Sequence, residues 1–316
     1  MTNEFSLIDT ILSMSQTFKI DQSSLLVKPG DDAALLKTLK RPIISTDTQR
    51  ENIHFSNQWQ SPEEVGYKAV VISLSDLAAS YAKPVAIFIN LAIPSTVGET
   101  YIKSLYQGIF RAIKQYNCSL GGGNISRSSE ISLDLFSIGE ALSDQYPHRS
   151  NALPGDGLYV TGPLGLARAG LESLQHQHNN YPLLIKAFKN PIARFDASIA
   201  LMNNQVNCVM DLSDGLLGDA EHIAKAASLS IEFFIDEQTI SPELKSYCTD
   251  INLSPLDMVL AGGEDYELLF SCTNEKYMHI KETLPEIYQV GKCLPFQGKH
   301  IINPPAHITS FNHFQD

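Results

Sequence analysis

The sequence predicts an α/β protein of two domains. Three observations carry that expectation. Strand-like and helix-like segments alternate through both halves of the chain, the pattern that packs helices against sheets. A turn-rich break, Asn151-Ala-Leu-Pro-Gly-Asp-Gly157, interrupts that alternation near the middle. At 316 residues the chain is also long enough to build two separate cores. The expected boundaries are 1–148 and 149–316.

Each element has its own signal. Ile43-Ile44-Ser45-Thr46-Asp47 reads as a short strand that ends in polar groups. Ser61-Pro62-Glu63-Glu64 opens a helix: Ser61 caps, Pro62 suits the first helical position and Glu64 completes a capping box. That helix is expected to run to about Ala82 and is unusually apolar, with Asp76 inside it. Val85–Ile93 reads as a buried strand and Tyr101–Tyr116 as an amphipathic helix. Cys118–Gly121 reads as a short strand leading into a glycine run, and Ile131–Leu135 alternates like a half-buried strand. Beyond the break, the segments are Leu158–Thr161, Ala167–Leu174, Ile192–Asn203, Asn207–Met210, Leu216–Ala227, Ile231–Ile235 and Leu268–Phe270.

Composition narrows the function classes. A hydrophobic content of 43% with 18% charged residues describes an ordinary folded chain. The net charge of −12, from 35 acidic and 23 basic residues, argues against a general binder of nucleic acid or anionic membranes. The five cysteines form no C-x-x-C pair, so neither a disulfide framework nor a thiolate zinc site is indicated. No secretory signal and no bilayer-spanning apolar run is visible. The expectation is a cytoplasmic protein.

Four acidic motifs carry the chemistry: Pro29-Gly-Asp-Asp32, Ser45-Thr-Asp-Thr48, Leu74-Ser-Asp-Leu77 and Asp211-Leu-Ser-Asp-Gly-Leu216. Hard oxygen ligands of this kind suit Mg²⁺, which favours carboxylates, waters and substrate phosphates. Asp76 is the sharpest of them, because a carboxylate on an apolar helix is costly to bury unless it is paired or binds a cation. The alternative is an Asp76 that faces solvent. Asp211 closes an apolar strand, the end at which α/β sheets commonly bind ligands. Ser213 and Asp214 then meet a phosphate or a metal, or simply cap the next helix. Gly121-Gly-Gly-Asn-Ile-Ser-Arg127 supplies backbone that can approach phosphates, or is only a turn. In Gly262-Gly-Glu-Asp-Tyr-Glu-Leu268, Glu264 or Asp265 could contact a cationic ligand. G-x-x-x-x-G-K-[ST], a complete G-x-G-x-x-G, H-E-x-x-H, H-R-D and D-F-G are all missing, so the P-loop, dinucleotide-binding, zinc-protease and protein-kinase readings lack support.

Taken in order, these segments resemble the thiamine-monophosphate kinase family, within the superfamily of aminoimidazole ribonucleotide synthetase, selenophosphate synthetase and the hydrogenase maturation dehydratase. The resemblance runs from Glu4-Phe-Ser-Leu-Ile8 to Ser310-Phe-Asn-His-Phe314. The spacing to His54-Phe55, the Gly-Gly-Glu-Asp-Tyr-Glu motif and the Phe-Asn-His-Phe tail favour the kinase over its relatives. It implies an N-terminal α/β domain that binds metal and ATP and whose sheet pairs in a homodimer. It also implies a C-terminal α/β domain with a mixed sheet that completes the active-site cleft. Metal roles are implied for Asp32, Ser45, Thr46, Asp47, Asp76, Asn124, Asp211 and Asp214. ATP contacts are implied for Tyr106, Gly123, Asn124, Arg149 and Ser213, and contacts with thiamine phosphate for His54, Glu264 and Phe311. At Asn124 the family usually has Asp, so one Mg²⁺ is expected to bind more weakly or with more waters.

The implied reaction is in-line transfer of the ATP γ-phosphoryl group to thiamine monophosphate, the last step of thiamine diphosphate biosynthesis, with no covalent nucleophile on the protein. Several Mg²⁺ ions and ATP as co-substrate are implied, with room for a monovalent cation. Two alternatives remain at this point: an ATP-dependent enzyme of the same superfamily with another acceptor, or a non-catalytic nucleotide-binding paralogue.

Overall fold

The computed structural model describes residues 4–302 and Pro304. Its described residues divide into two compact units, 4–77 with 82–142, and 78–81 with 143–302. The change of unit at Leu142–Ser143 lies a few residues ahead of the break expected from the turn-rich segment.

In the first unit, α1 (Glu4–Thr17) precedes the short strands β1 (Leu25–Val27) and β2 (Leu35–Leu36), which pair antiparallel. Then follow β3 (Pro42–Arg50), α2 (Pro62–Ala79), β4 (Ala82–Ile93), α3 (Glu99–Gln115), β5 (Ser119–Arg127) and β6 (Ser132–Ala141). The four longer strands form one sheet in the order β3-β6-β4-β5. Only β4 and β5 run parallel, joined by the α3 crossover; the other pairs are antiparallel. The edges of the sheet are therefore β3 and β5.

The capping box at the start of α2 forms as the sequence predicts. The Ser61 N–H donates to Glu64 Oε2 at 2.7 Å, and the Glu64 N–H reaches Ser61 Oγ at 3.3 Å. The helix ends at Ala79, about three residues before the expected Ala82. Helices α2 and α3 cross closely: a Cβ on Gly108 would stand 1.8 Å from the Glu63 carbonyl oxygen, so no larger residue fits there. This close crossing buries α2 almost completely. From Val65 to Ala79 every residue is buried except Asp76, which is partly exposed.

The second unit contains β7 (Gly157–Val160), α4 (Leu166–Gln175), α5 (Pro182–Lys189), α6 (Phe195–Asn203), β8 (Cys208–Asp211), α7 (Leu216–Ala227) and β9 (Leu229–Phe233). It continues with α8 (Pro242–Asp250), α9 (Pro255–Ala261), β10 (Leu268–Cys272), α10 (Asn274–Thr283), β11 (Tyr288–Pro295) and β12 (Ile301–Ile302). Its six-stranded mixed sheet runs β12-β9-β11-β7-β10-β8, with β12 parallel to β9. Successive strand residues point to opposite faces, so each face has its own core. Leu158, Met210 and Leu269 pack with residues of α4, α7, α8 and α9. On the other face, Tyr159, Val209 and Phe270 pack with Ala197, Leu201 and Ile280 of α6 and α10. Strand β8, buried along its whole length, delivers Asp211 to the end of this layer.

Among the described residues no helix is long and apolar enough to cross a membrane. Their cysteines, Cys118, Cys208, Cys248, Cys272 and Cys293, are buried free thiols.

Candidate functional site

The predicted residues fall into three groups. The first lies where β3 faces α2. Ser45 and Asp47 are two apart on β3 and therefore share a face. The Ser45 hydroxyl donates to Asp76 Oδ2. Asp47 Oδ2 is buried with no hydrogen-bond partner. Burial, followed by the charge of Asp76, pushes the Asp47 carboxyl up from 3.8 to about 6. Burial and the neighbouring Asp76 charge therefore favour a proton or a cation at Asp47, whose Oδ2 has no hydrogen-bond partner. Thr46, between them in sequence, is exposed on the opposite face opposite Phe136 of β6. Its side chain does not join this group.

His54 sits in the turn after β3, next to the buried anchor Phe55. Its Nδ1 accepts the Arg50 backbone N–H at 3.1 Å. In the neutral ring the proton is then on Nε2, which makes that nitrogen a donor.

The second group lines a cavity of about 200 Å³ at the β5 edge. Asp32, Tyr106, Gly123 and Asn124 all border it, with Ile8 and Ile11 of α1 and Phe88 of β4 as apolar walls. Tyr106 is buried, and burial pushes its phenol above the usual range. The glycine run is not a loop leading away from a short strand; it lies inside β5. Gly121 is the extra residue of a bulge, since Ile87 pairs with Leu120 and Phe88 with Gly122. A Cβ on Gly123 would stand 1.9 Å from the Ile89 carbonyl oxygen. Close strand pairing therefore demands glycine at 123, independently of any phosphate.

These two groups stand on opposite edges of one sheet. With β6 and β4 between β3 and β5, three strand spacings separate them, about 14 Å.

The third group belongs to the second unit. Asp211 is buried at the end of β8. Ser213 and Asp214 follow in the loop before α7, and this loop is tied to the segment that carries Glu264. The Glu264 N–H donates to the Ser213 carbonyl at 2.8 Å, and the Tyr266 N–H to the Leu212 carbonyl at 2.9 Å. Glu264 and Tyr266 both have positive φ, 66° and 51°. Two strained non-glycine residues in one short segment are a pattern found at ligand-binding sites. Arg149 lies beside the start of β8, its carbonyl accepting from Cys208 Sγ at 3.6 Å, three residues and about 10 Å of strand from Asp211. Phe311 lies outside the described residues.

The sequence left Glu264 and Asp265 as alternative ligand contacts, and the structure separates them. Asp265 turns to the start of α4, accepting from the Gly165 and Ala167 N–H groups at 2.7 and 3.2 Å. Burial raises its carboxyl to about 7 against those two donors. Glu267, next on the strand side, is locked to Arg194, which also bonds Asp196, Glu286 at 3.0 Å and the Thr161 carbonyl at 2.9 Å. Sequence reasoning also missed Asp219. It is 1% exposed and lies in the first turn of α7. Burial first, then Asp214 and Asp211, push its carboxyl up to about 8. Its signal was the one that exposed Asp76, an acid on an apolar helix.

Among the described residues no group of three or more His, Cys, Asp or Glu side chains is gathered closely enough to hold a metal ion. The acids come in smaller sets, all with oxygen donors. That fits Mg²⁺, which completes its shell with waters and substrate phosphates.

Residues 30–141 match the model of the AIR synthase related protein N-terminal domain, and residues 154–295 that of the C-terminal domain. The thiamine-monophosphate kinase of Aquifex aeolicus is 32% identical over 98% of both chains. The chain belongs to the thiamine-monophosphate kinase family. The Bacillus subtilis member is 32% identical over 89% of this chain and 86% of its own. Among solved structures, AaThiL complexed with AMPPCP and TMP aligns with a TM-score of 0.79 at 32% identity, covering 98% of this chain and 97% of the other. The Stenotrophomonas maltophilia family member aligns at 0.81 with 28% identity, covering 94% and 96%. The Escherichia coli hydrogenase maturation protein HypE, 14% identical with a TM-score of 0.74 over 96% of both chains, shares the fold.

Proposed function

We propose that this chain transfers the γ-phosphoryl group of ATP to the phosphate of thiamine monophosphate, giving thiamine diphosphate and ADP. Family membership and the solved relative with an ATP analogue and TMP support the reaction. One observation in this molecule carries it further. The backbone bond from Glu264 to Ser213 ties the residue assigned to the cationic end of thiamine to one assigned to ATP. The two substrates must meet, and this loop pair brings the backbone of a residue assigned to thiamine against that of a residue assigned to ATP.

Each side chain then has a task. Glu264 faces the positive charge of thiamine, and His54 offers its Nε2 proton to the thiamine phosphate. Ser213 contacts the ATP phosphates, and Arg149 adds positive charge to the same anion. Tyr106, Gly123 and Asn124 line the cavity that takes part of the nucleotide. Asp32, Asp47 with Ser45, Asp76, Asp211 and Asp214 would hold Mg²⁺, with Thr46 limited to its backbone and Asn124 giving an uncharged oxygen. When bound, Mg²⁺ screens the two approaching anions and aligns their oxygens. The acceptor is already an ionised phosphate near neutral pH, so no strong general base is needed. No residue becomes phosphorylated.

A homodimer completes this arrangement. The β3-edge acids and the β5-edge cavity are too far apart within one sheet to share a metal–phosphate cluster. A second copy brings the β3 edge of one subunit to the β5 edge of the other. Ile44 and Phe136, 65% and 40% exposed on the outer sheet face, give that contact an apolar centre.

ADP release, measured with ATP alone, with thiamine monophosphate and with other phosphomonoesters, tests the assignment. Release that depends on thiamine monophosphate supports it. Equal release with a different phosphomonoester points to another acceptor, and binding of ATP without release to a non-catalytic paralogue.

A further inference from the structure

Asp219 touches the loop that carries two of the proposed nucleotide and metal contacts. A single carboxylate oxygen, Asp219 Oδ2, accepts the consecutive backbone N–H groups of Ser213 and Asp214, at 3.0 and 3.1 Å. The Asp219 N–H in turn donates to the Gly215 carbonyl at 3.0 Å, which fixes the carboxylate on the first turn of α7. On its other side the loop gives its Leu212 and Ser213 carbonyls to Tyr266 and Glu264. Two adjacent N–H groups of this kind would otherwise form an anion-binding concavity. Here Asp219 already fills it, which leaves side chains to do the recognition.

We propose that Asp219 is a positioning residue: it sets the Ser213 hydroxyl and the Asp214 carboxylate for metal-bound ATP through two backbone N–H groups, without touching either ligand. This rests on the proposed kinase function. The thiamine side depends on Asp219 less than the ATP side does, because Asp265 at the start of α4 and Arg194 on Glu267 give the 264–267 segment anchors of its own besides its two bonds to this loop.

The test compares Asp219→Ala with Asp219→Asn in the full-length protein. Asparagine keeps an oxygen that can accept both N–H groups; alanine leaves them unpaired. We expect Asp219→Ala to raise the KM for Mg·ATP about tenfold or more, the cost of two orphaned donors. The KM for thiamine monophosphate stays within about twofold, and Asp219→Asn remains within about threefold of wild type in both. If Asp219→Ala does not fold, Asp219→Ser, too short to reach both N–H groups, takes its place with the same expected pattern. The proposal is overturned if the KM for Mg·ATP does not move, if both KM values rise together, or if Asp219→Asn loses as much as the shorter variant. The last result would make Asp219 a direct ligand through its charge. A wild-type protein inactive on thiamine monophosphate would refute the kinase function alone. Calorimetric affinity for a non-hydrolysable Mg·ATP analogue then decides the positioning role by the same wild-type, Asn and Ala order.

Discussion

Replacing Asp47 with Asn should make the metal-free protein more stable and the enzyme nearly inactive. The carboxyl is raised from 3.8 to about 6, which corresponds to ~3 kcal/mol against its ionised form. Asp47 is partly exposed, and solvent screening reduces that to ~1.5 kcal/mol. The sign follows from linkage. A carboxyl with a raised folded-state pKa costs nothing below about pH 4, where it is protonated in both states. The cost grows between about 4 and 6 and is complete above that. In EDTA at about pH 7.5, Asp47→Asn should therefore melt about 3–6 °C above wild type, and at about pH 4 the two should coincide. Added Mg²⁺ should raise the melting temperature of wild type more than that of the variant. Turnover should fall about a hundredfold or more, because a charge placed for cations is lost. Thermal scans at both pH values, with and without Mg²⁺, give the answer. Equal stability at pH 7.5, an equal gain at pH 4, or unchanged turnover would refute the reasoning.

Three further outcomes are expected. Asn124→Asp should lower the Mg²⁺ concentration for half-maximal rate about threefold or more, as a carboxylate joins the cavity; a Mg²⁺ titration of initial rates checks it. Gly123→Ala should destabilise the first unit by more than ~3 kcal/mol, because its Cβ meets the Ile89 carbonyl; urea unfolding measures it. Arg194→Met should cost ~3–5 kcal/mol by stranding the Glu267 carboxylate, with KM for ATP little changed in any protein that remains folded, read from chemical denaturation and steady-state rates.

Much of this fold was legible because the local signals were strong. The Ser61–Glu64 capping box and the apolar run after it located α2, and the segment Leu216–Ala227 coincides with α7. Asp76 stood out in the sequence as an acid on an apolar helix, and it is the one residue between Val65 and Ala79 that is partly exposed. Other features depend on tertiary structure. Helix α1 walls the cavity, yet nothing local in its sequence announces that role. The strand order β3-β6-β4-β5 sets Asp47 and Asn124 on opposite edges, and motif spacing carries no information on strand order. The glycine run read as backbone open to phosphates or as a turn, whereas the demand for glycine at 123 comes from the neighbouring strand. Asp265 read as one of two alternative ligand contacts, and Asp219 was not singled out. Only the structure shows that each holds a pair of backbone N–H groups.

The most direct test of the central claim is a ³¹P NMR time course of the purified protein with ATP, Mg²⁺ and thiamine monophosphate, beside a control without acceptor. The account predicts loss of the thiamine monophosphate resonance in step with ATP, and growth of paired diphosphate resonances matching thiamine diphosphate. ATP that stays intact, or that is consumed equally without acceptor, would contradict it.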